Sequence, residues 1–404
     1  MKCRSMRILS LIMSVGFAML TLYYFPNDGL VEGALIIITH LLPWITFTII
    51  SIIDENNTSL VGLIFLLVSF SILLYMREKM AYNTLDYVLV FKRVSVANLC
   101  LLLVFLAGMG VAKWLVGQWL LLVLLSIIGP LSFLAARIFC EPFNDTYNWI
   151  GPVMPSELSK ISLVAVIPLV LQRSYNKAHE GVVKFLTIYF SLFLLLAGCA
   201  NEYGTLLIIL IFGLLTCLTD KSLNHYFVPV AISGVVVSLM AYCFSKKVRT
   251  RVGLFLMPWK AIMRGDEQAV VNKRILVAAQ YSGYWGTDFR FTKYELPPNL
   301  STDYAISTLM MDMGLTITVV VLVIYVAILM CIVSIKIDGI LEKRMINAVI
   351  VVLTTAILIS YAGNMLSFPL AGLSLPYITS ISTIQPNVVF FFLTGLACGM
   401  RSNY

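Results

Sequence analysis

The chain has 404 residues, of which 60% are hydrophobic and 12% charged, with a net charge of +8 and a mean hydropathy of +0.94. A soluble domain carries about 25% charged residues, so this composition excludes a water-soluble enzyme or binding module and describes a polytopic membrane protein. Three dispersed histidines, His40, His179 and His225, cannot build a zinc centre or a His-based triad, and no G-x-x-x-x-G-K-[ST] run supplies a nucleotide-driven engine.

The first apolar run, 8–25, follows Lys2, Arg4 and Arg7 and has no small-residue cleavage pattern after it, which reads as a retained first helix. Further runs fall at 33–53, 58–76, 95–112, 117–138, 156–172, 183–200, 203–219, 227–244, 305–334, 346–363 and 384–400. Most have the roughly 17–25 residues needed to cross a bilayer, and none alternates like a barrel strand. The sequence therefore predicts an all-α polytopic membrane protein of about twelve transmembrane helices. With twelve spans, Arg173, Lys177, Lys184, Lys336, Lys343, Lys2 and Arg401 share one side, which the charge rule makes the cytoplasm, with both termini there. Arg77, Lys79, Lys92 and Arg93 fall outside, as does the long polar loop 246–304 with its ten Lys/Arg and five Asp/Glu. Cations outside have no orienting task, and an anionic ligand explains them better. The eight cysteines, Cys3, Cys100, Cys140, Cys199, Cys217, Cys243, Cys331 and Cys398, are scattered without a C-x-x-C and read as small buried hydrophobes, with neither a disulfide frame nor a metal site.

Charges at the mouths of spans carry the functional signal, because a buried ion costs about 2.5–3.5 kcal/mol even on the lenient insertion scale and survives by pairing or by lining a wet cavity. Pro155-Ser156-Glu157-Leu158-Ser159-Lys160 opens one span; Ser156 suits an N-cap, and Glu157 and Lys160, three apart, share a face. Asn201-Glu202-Tyr203-Gly204-Thr205 makes a tight turn between two others. Thr302-Asp303 begins the run 305–334, where it would equally serve as a helix cap, and Asp312 lies deeper in it. Nine residues at 100° each set these two carboxylates on opposite faces of an ideal helix, so they do not form a glycosidase-type dyad and one carboxylate acts alone.

These residues resemble the SEDS (shape, elongation, division and sporulation) family of RodA/FtsW-type peptidoglycan glycosyltransferases. Residues 155–160 look like the family's P-S-E-L-x-K, and Arg249-Thr250-Arg251-Val252 with Phe255-Leu256-Met257-Pro258-Trp259 keeps the spacing R-x-R-V-x-x-F-L-D-P-W. Pro298 to Tyr304 is similar to P-E-x-H-T-D-F, Asp312-Met313-Gly314 sits at E-x-G, and Asn364-Met365, Pro369, Gly372 and Leu375-Pro376 keep N-M-x-x-x-P-x-x-G-x-x-L-P. Phe91-Lys92-Arg93 and Glu202-Tyr203-Gly204-Thr205 are weaker echoes of F-x-K-R-Q and P-D-L-G-T. The resemblance covers about 58–400, within a membrane domain at 58–404, leaving 1–57 as two extra N-terminal helices. Departures are Asn148 for Arg, Met154 for Gln, Met257 for Asp, Ser301 for His, Met311 for Glu, and Thr379-Ser380-Ile381-Ser382-Thr383-Ile384 for S-Y-G-G-S-S, where a branched Ile lacks the backbone freedom of Gly.

The resemblance implies polymerisation of lipid-linked peptidoglycan precursor at the outer face of the cytoplasmic membrane, with inversion and release of polyprenyl diphosphate. It implies Asp303 as general base, Arg249 and Arg251 on the diphosphate, Lys160 and Arg93 as secondary cations, Glu157 as the group orienting Lys160, and Glu202 and Asn364 at the same site. It implies a class B penicillin-binding transpeptidase as partner, with membrane lipid and no nucleic acid. No cofactor is expected, and these residues neither require nor exclude a divalent cation. A lipid-linked precursor flippase would use the same cavity and cations without a base; an O-antigen-type polymerase or ligase would use an outer-loop His, and none lies between 226 and 404; a degenerate non-catalytic scaffold is suggested by the lost Gly pair.

Overall fold

A computed structural model describes residues 2–25, 29–141, 147, 154–174, 179–219, 227–263, 267–287, 289, 301–369, 372–378 and 385–401. Backbone amides find no water in hydrocarbon, and each apolar run meets that constraint by closing its bonds within a helix. In chain order these are α1 (Lys2–Tyr24), α2 (Leu30–Ile53), α3 (Thr58–Ala81), α4 (Tyr87–Gly117), α5 (Trp119–Phe139), α6 (Pro155–Ser174), α7 (His179–Cys199), α8 (Tyr203–Thr219) and α9 (Phe227–Phe244). The polar loop adds α10 (Lys246–Leu256), α11 (Pro258–Met263) and α12 (Glu267–Ser282), and the bundle closes with α13 (Ala305–Val333), α14 (Ile340–Asn364) and α15 (Gln385–Gly399). No strand occurs among the described residues. Every expected apolar run carries a helix; among the described residues eight are long and apolar enough to cross a membrane, and α7, α8 and α15 contribute shorter apolar stretches.

Local chemistry moves three boundaries from where the sequence placed them. Asp86 caps α4 by accepting from the amides of Val88 (2.9 Å) and Leu89 (3.1 Å), so Phe91, Lys92 and Arg93 lie inside the helix and not before it. Pro155 takes the first position of α6, where its missing N–H costs nothing, so Ser156 is a buried first-turn residue and not the N-cap. The loop after α9 folds into helices of its own, the first capped by Ser245 Oγ accepting from Val248 N at 3.3 Å. Cys100, Cys140, Cys199, Cys217, Cys243, Cys331 and Cys398 form no disulfide; Cys217 and Cys398 are buried, whereas Cys199 and Cys243 are exposed on the helix surface. The expectation of burial therefore fails for these two: a thiol facing lipid is already in an apolar medium.

Helix α3 is the hub of the first half. It packs against α1, α2 and α13, and its C-terminal end buries Arg77 to 1% exposure. Helices α4 and α15 touch backbone to backbone: a Cβ on Gly108 would stand 2.4 Å from Phe392 O, and one on Gly395 2.2 Å from Phe105 O. Without a hydrophobic drive in lipid, such small residues let the dispersion contacts that hold helices together form at close range.

Helix α13 is not continuous. Gly314 sits at φ +85, ψ 178, which breaks the ladder and leaves polar groups on both sides unpaired. The turn after α12 fills the break. Leu315 N donates to Gly283 O (3.0 Å) and Thr316 N to Tyr284 O (3.2 Å), while Thr287 N donates to Met311 O and Asp312 O (3.2 Å each). Ser282 Oγ and Thr287 Oγ1 donate to Met311 O at 2.8 and 3.0 Å. Contact is so close that a Cβ on Gly286 would lie 2.3 Å from Asp312 O. The segment 305–312 above the break is buried on every side, whereas beyond Gly314 exposed positions recur along the helix.

Candidate active site

Four segments bring charge to one end of the bundle, the start of α6, the turn between α7 and α8, helix α10 and Asp303 two residues ahead of α13, and the uncharged stretch after α14 lies against two of them. An added Cβ at Gly372 would stand 3.7 Å from Arg251 Nη2 and 3.9 Å from Asp303 Oδ2, which puts those two atoms within about 7.6 Å of each other. Tyr304, not Asp303, occupies the N-cap position of α13, and no side chain caps it there. The carboxylate of Asp303 is thus free of the capping task that its place in the sequence suggested, and it faces Arg251 and Lys247.

The main chain at Asp303 is fixed by Asn364. Its Nδ2 donates to Asp303 O (2.8 Å) and to Ser360 O (2.8 Å), and its Oδ1 accepts from Ser307 N and Ser307 Oγ (3.2 Å each). The stretch carrying Gly372 is pinned as well, through Ser360 Oγ to Leu373 O (2.9 Å) and Tyr325 OH to Pro376 O. Glu157 accepts from Lys160 Nζ at 2.5 Å, and the ammonium lies 4.6 Å from the centroid of the Phe390 ring. Both partners are buried.

Electrostatics follow from burial beside cations. Desolvation holds the Asp303 carboxyl above its ordinary range, opposed by Arg251 and then Lys247. Glu202 is pushed up to about 7, first by burial and then by Glu157 and Asp303, against Lys247 and Arg251. Arg251 is itself lowered by burial and supported by Asp303, Tyr304 and Glu202. Glu157, Glu202, Lys247, Arg251 and Asp303 therefore form one electrostatic group.

The remaining candidates stand apart from it. Arg249 is exposed, because residues two apart on a helix point in nearly opposite directions. Arg93 donates from Nη1 to Tyr75 OH at 3.0 Å. Asp312 is paired with Arg77, whose Nε and Nη2 donate to Oδ2 (2.9 Å) and Oδ1 (3.2 Å). Residues 148–150, 298–300 and 379–384, where several family motifs fall, lie outside the described residues. Sequence reasoning missed Lys247, which is one helical turn before Arg251 and shares its face once α10 is recognised.

Arg251 also lies on the wall of an open groove of about 610 Å³ between α8, α9 and α10, lined chiefly by apolar side chains such as Leu206, Leu210 and Leu239 together with Phe368 and Pro369. An apolar groove leading to a cation beside a carboxylate suits an amphiphile with a long hydrocarbon tail and an anionic head. Among the described residues no three His, Cys, Asp or Glu side chains converge as a metal site would.

An all-helical membrane bundle with this polar end defines a class, and comparison with known proteins gives the family. The FtsW/RodA/SpoVE family, described as cell cycle protein, matches residues 57–383, and the chain belongs to it. A probable peptidoglycan glycosyltransferase FtsW of Moranella endobia (strain PCIT) is 25% identical over 216 residues, covering 51% of this chain and 55% of the relative's length. The chain thus aligns with only about half of that curated relative. Among solved structures, a chain of a peptidoglycan synthase complex that coordinates polymerization and crosslinking superposes with a TM-score of 0.62 at 18% identity, over 83% of this chain and 96% of that one. The rod shape determining protein RodA of Thermus thermophilus gives 0.53 at 17% identity, over 84% and 94%. These likenesses establish the fold.

Proposed function

We propose that this chain polymerises lipid-linked peptidoglycan precursor at the outer face of the cytoplasmic membrane, with both termini cytoplasmic. The observation that carries the proposal is the placement of Asp303 beside Arg251 at the head of the apolar groove. In the reaction the 4-hydroxyl of the acceptor sugar attacks the anomeric carbon of the growing chain, which inverts. The bond from that carbon to the diphosphate oxygen breaks, and the hydroxyl proton passes to the Asp303 carboxylate. Polyprenyl diphosphate leaves with the charge. Arg251 meets that charge, with Lys247 in reserve, while the tail occupies the groove along α8 and α9. Lys160, held by Glu157, and Asn364, which fixes the Asp303 main chain, position these groups.

The matched FtsW relative is named for this activity and the matched complex pairs polymerization with crosslinking, which supports the same substrate class here and a penicillin-binding transpeptidase as partner. The test is glycan polymerisation by purified protein with Asp303→Asn. The amide keeps size and one acceptor oxygen but takes no proton, and turnover falls by about 10²–10⁴-fold with expression unchanged. Wild-type turnover by the Asn variant removes Asp303 from the mechanism, whereas absence of any polymerisation by the wild-type protein favours a flippase, which needs no base.

A further inference from the structure

The two N-terminal helices lie outside the family match, which begins at residue 57, yet the end of α1 reaches Phe289 in the loop ahead of Asp303. At the end of α1 the rings of Tyr24 and Phe25 enclose Phe289, with centroids 4.8 and 5.8 Å away. Phe289 is 8% exposed and has φ +63, a left-handed conformation that a bulky side chain enters only when its surroundings compel it. On another side of the ring stands the Arg77 guanidinium, 5.8 Å from the centroid, which is the same group that pairs with Asp312. Two residues before Phe289 is Thr287, whose amide and hydroxyl bind the carbonyls left open at the break in α13.

These contacts form a continuous train from α1 to the site. Tyr24 and Phe25 hold Phe289; Phe289 holds the docked turn and stacks near Arg77; Arg77 and the turn together hold the outer segment of α13 at Asp312 and Met311. That segment begins at Ala305, two residues after Asp303. Above Gly314 it has lost its helical bonds to the remainder of α13, so the turn and Arg77 supply the connection that the backbone ladder would otherwise have given.

We propose that the α1–α2 pair is a positioning element for the site, clamping Phe289 through Tyr24 and Phe25 so that the docked turn and Arg77 fix the outer segment of α13. The proposal rests on the reading of Asp303 as general base for its effect on turnover, but not for its effect on structure. Two readouts separate these. Hydrogen exchange followed by mass spectrometry on the full-length protein in detergent is compared for wild type, Phe289→Ala and the milder Tyr24→Ala. In both variants amides of 301–313 exchange about tenfold faster or more, while 315–333 and α14 keep wild-type protection. Polymerisation then shows a lower kcat with KM for the lipid-linked precursor little changed, and Phe289→Tyr restores both measurements.

Unchanged exchange over 301–313 in both alanine variants overturns the proposal. So does acceleration spread evenly over all helices, which would mark Phe289 as a plain stability contact, and so does faster exchange at 301–313 with wild-type kcat. Wild-type turnover by Asp303→Asn refutes the base assignment alone, because the exchange measurement needs no catalysis.

Discussion

As the proposed general base, Asp303 must be ionised to accept a proton. Burial opposes ionisation and Arg251 favours it. Replacing Arg251 by Gln removes that support and leaves burial in place. With the guanidinium and carboxylate atoms within about 7.6 Å, the lost attraction is at least about 0.5 kcal/mol in a water-like medium and about 2 kcal/mol at an effective dielectric of 20. The sign follows directly: a base whose charged form is destabilised binds its proton at higher pH, so the acid limb of the turnover profile moves up in pH. On the proposed mechanism turnover also falls at every pH, because the diphosphate loses a two-pronged partner. Arg251→Lys separates the two effects, since the ammonium keeps the charge, and with it the position of the limb, but recovers only part of the rate. The assay is initial polymerisation rate against pH with saturating lipid-linked precursor. A limb that stays in place in the Gln variant, or moves to lower pH, refutes the electrostatic coupling.

Three further outcomes are expected. Glu202 has its carboxyl raised from 4.5 to about 7, so its contribution to stability is complete below about 4.5 and is lost as pH rises through about 7; thermal unfolding in detergent therefore shows a decline over that window in wild type that is flattened in Glu202→Gln, and parallel profiles would refute it. Removing one partner of the buried Arg77–Asp312 pair strands a charge at a cost of about 3–5 kcal/mol, whereas Arg77→Met together with Asp312→Leu recovers most of that loss; equal melting temperatures for the single and double variants would contradict the pairing. A cysteine at Ser367, which is exposed, or at the half-buried Tyr203, in a background without native cysteines, reacts with an impermeant thiol reagent added to intact cells and one at Gly339 does not; labelling at Gly339 from outside would contradict the proposed outward placement of the site.

Much of this arrangement is legible in the chain because lipid leaves few choices. The runs that become α1 to α9 and α13 to α15 are set by hydrocarbon, and the helices fall on them within a few residues except where a polar cap extends one, as Asp86 does for α4. Grouping Glu157, Glu202, Asp303 and Asn364 was possible because a carboxylate or amide at the mouth of a span has few stable environments. What escaped has a different physics. Arg249 and Arg251 look equivalent as an R-x-R pair, and only the helical state of 246–256 sends one into the site and the other away. Arg77 and Asp312 each appeared as an anomaly, a stray outer cation and a deep carboxylate, and the pairing of the two follows from the rule that neither could be buried alone. The break at Gly314 had no local signal beyond a glycine, because what sustains it is a turn about thirty residues earlier whose fit depends on backbone atoms and not on side-chain pattern.

The backbone contact between α4 and α15 also bears on biogenesis. Helices enter the bilayer one after another as the chain is made, and each can persist there singly because its own hydrogen bonds are closed. The face of α4 around Phe105, Gly108 and Met109 meets its partner only when Phe392, Gly395 and Gly399 have been synthesised, almost three hundred residues later. Until then that face is covered by lipid chains that α15 must displace. The last helix is therefore the keystone of assembly, and a bulky residue at Gly395 would leave every helix inserted while the bundle stayed open.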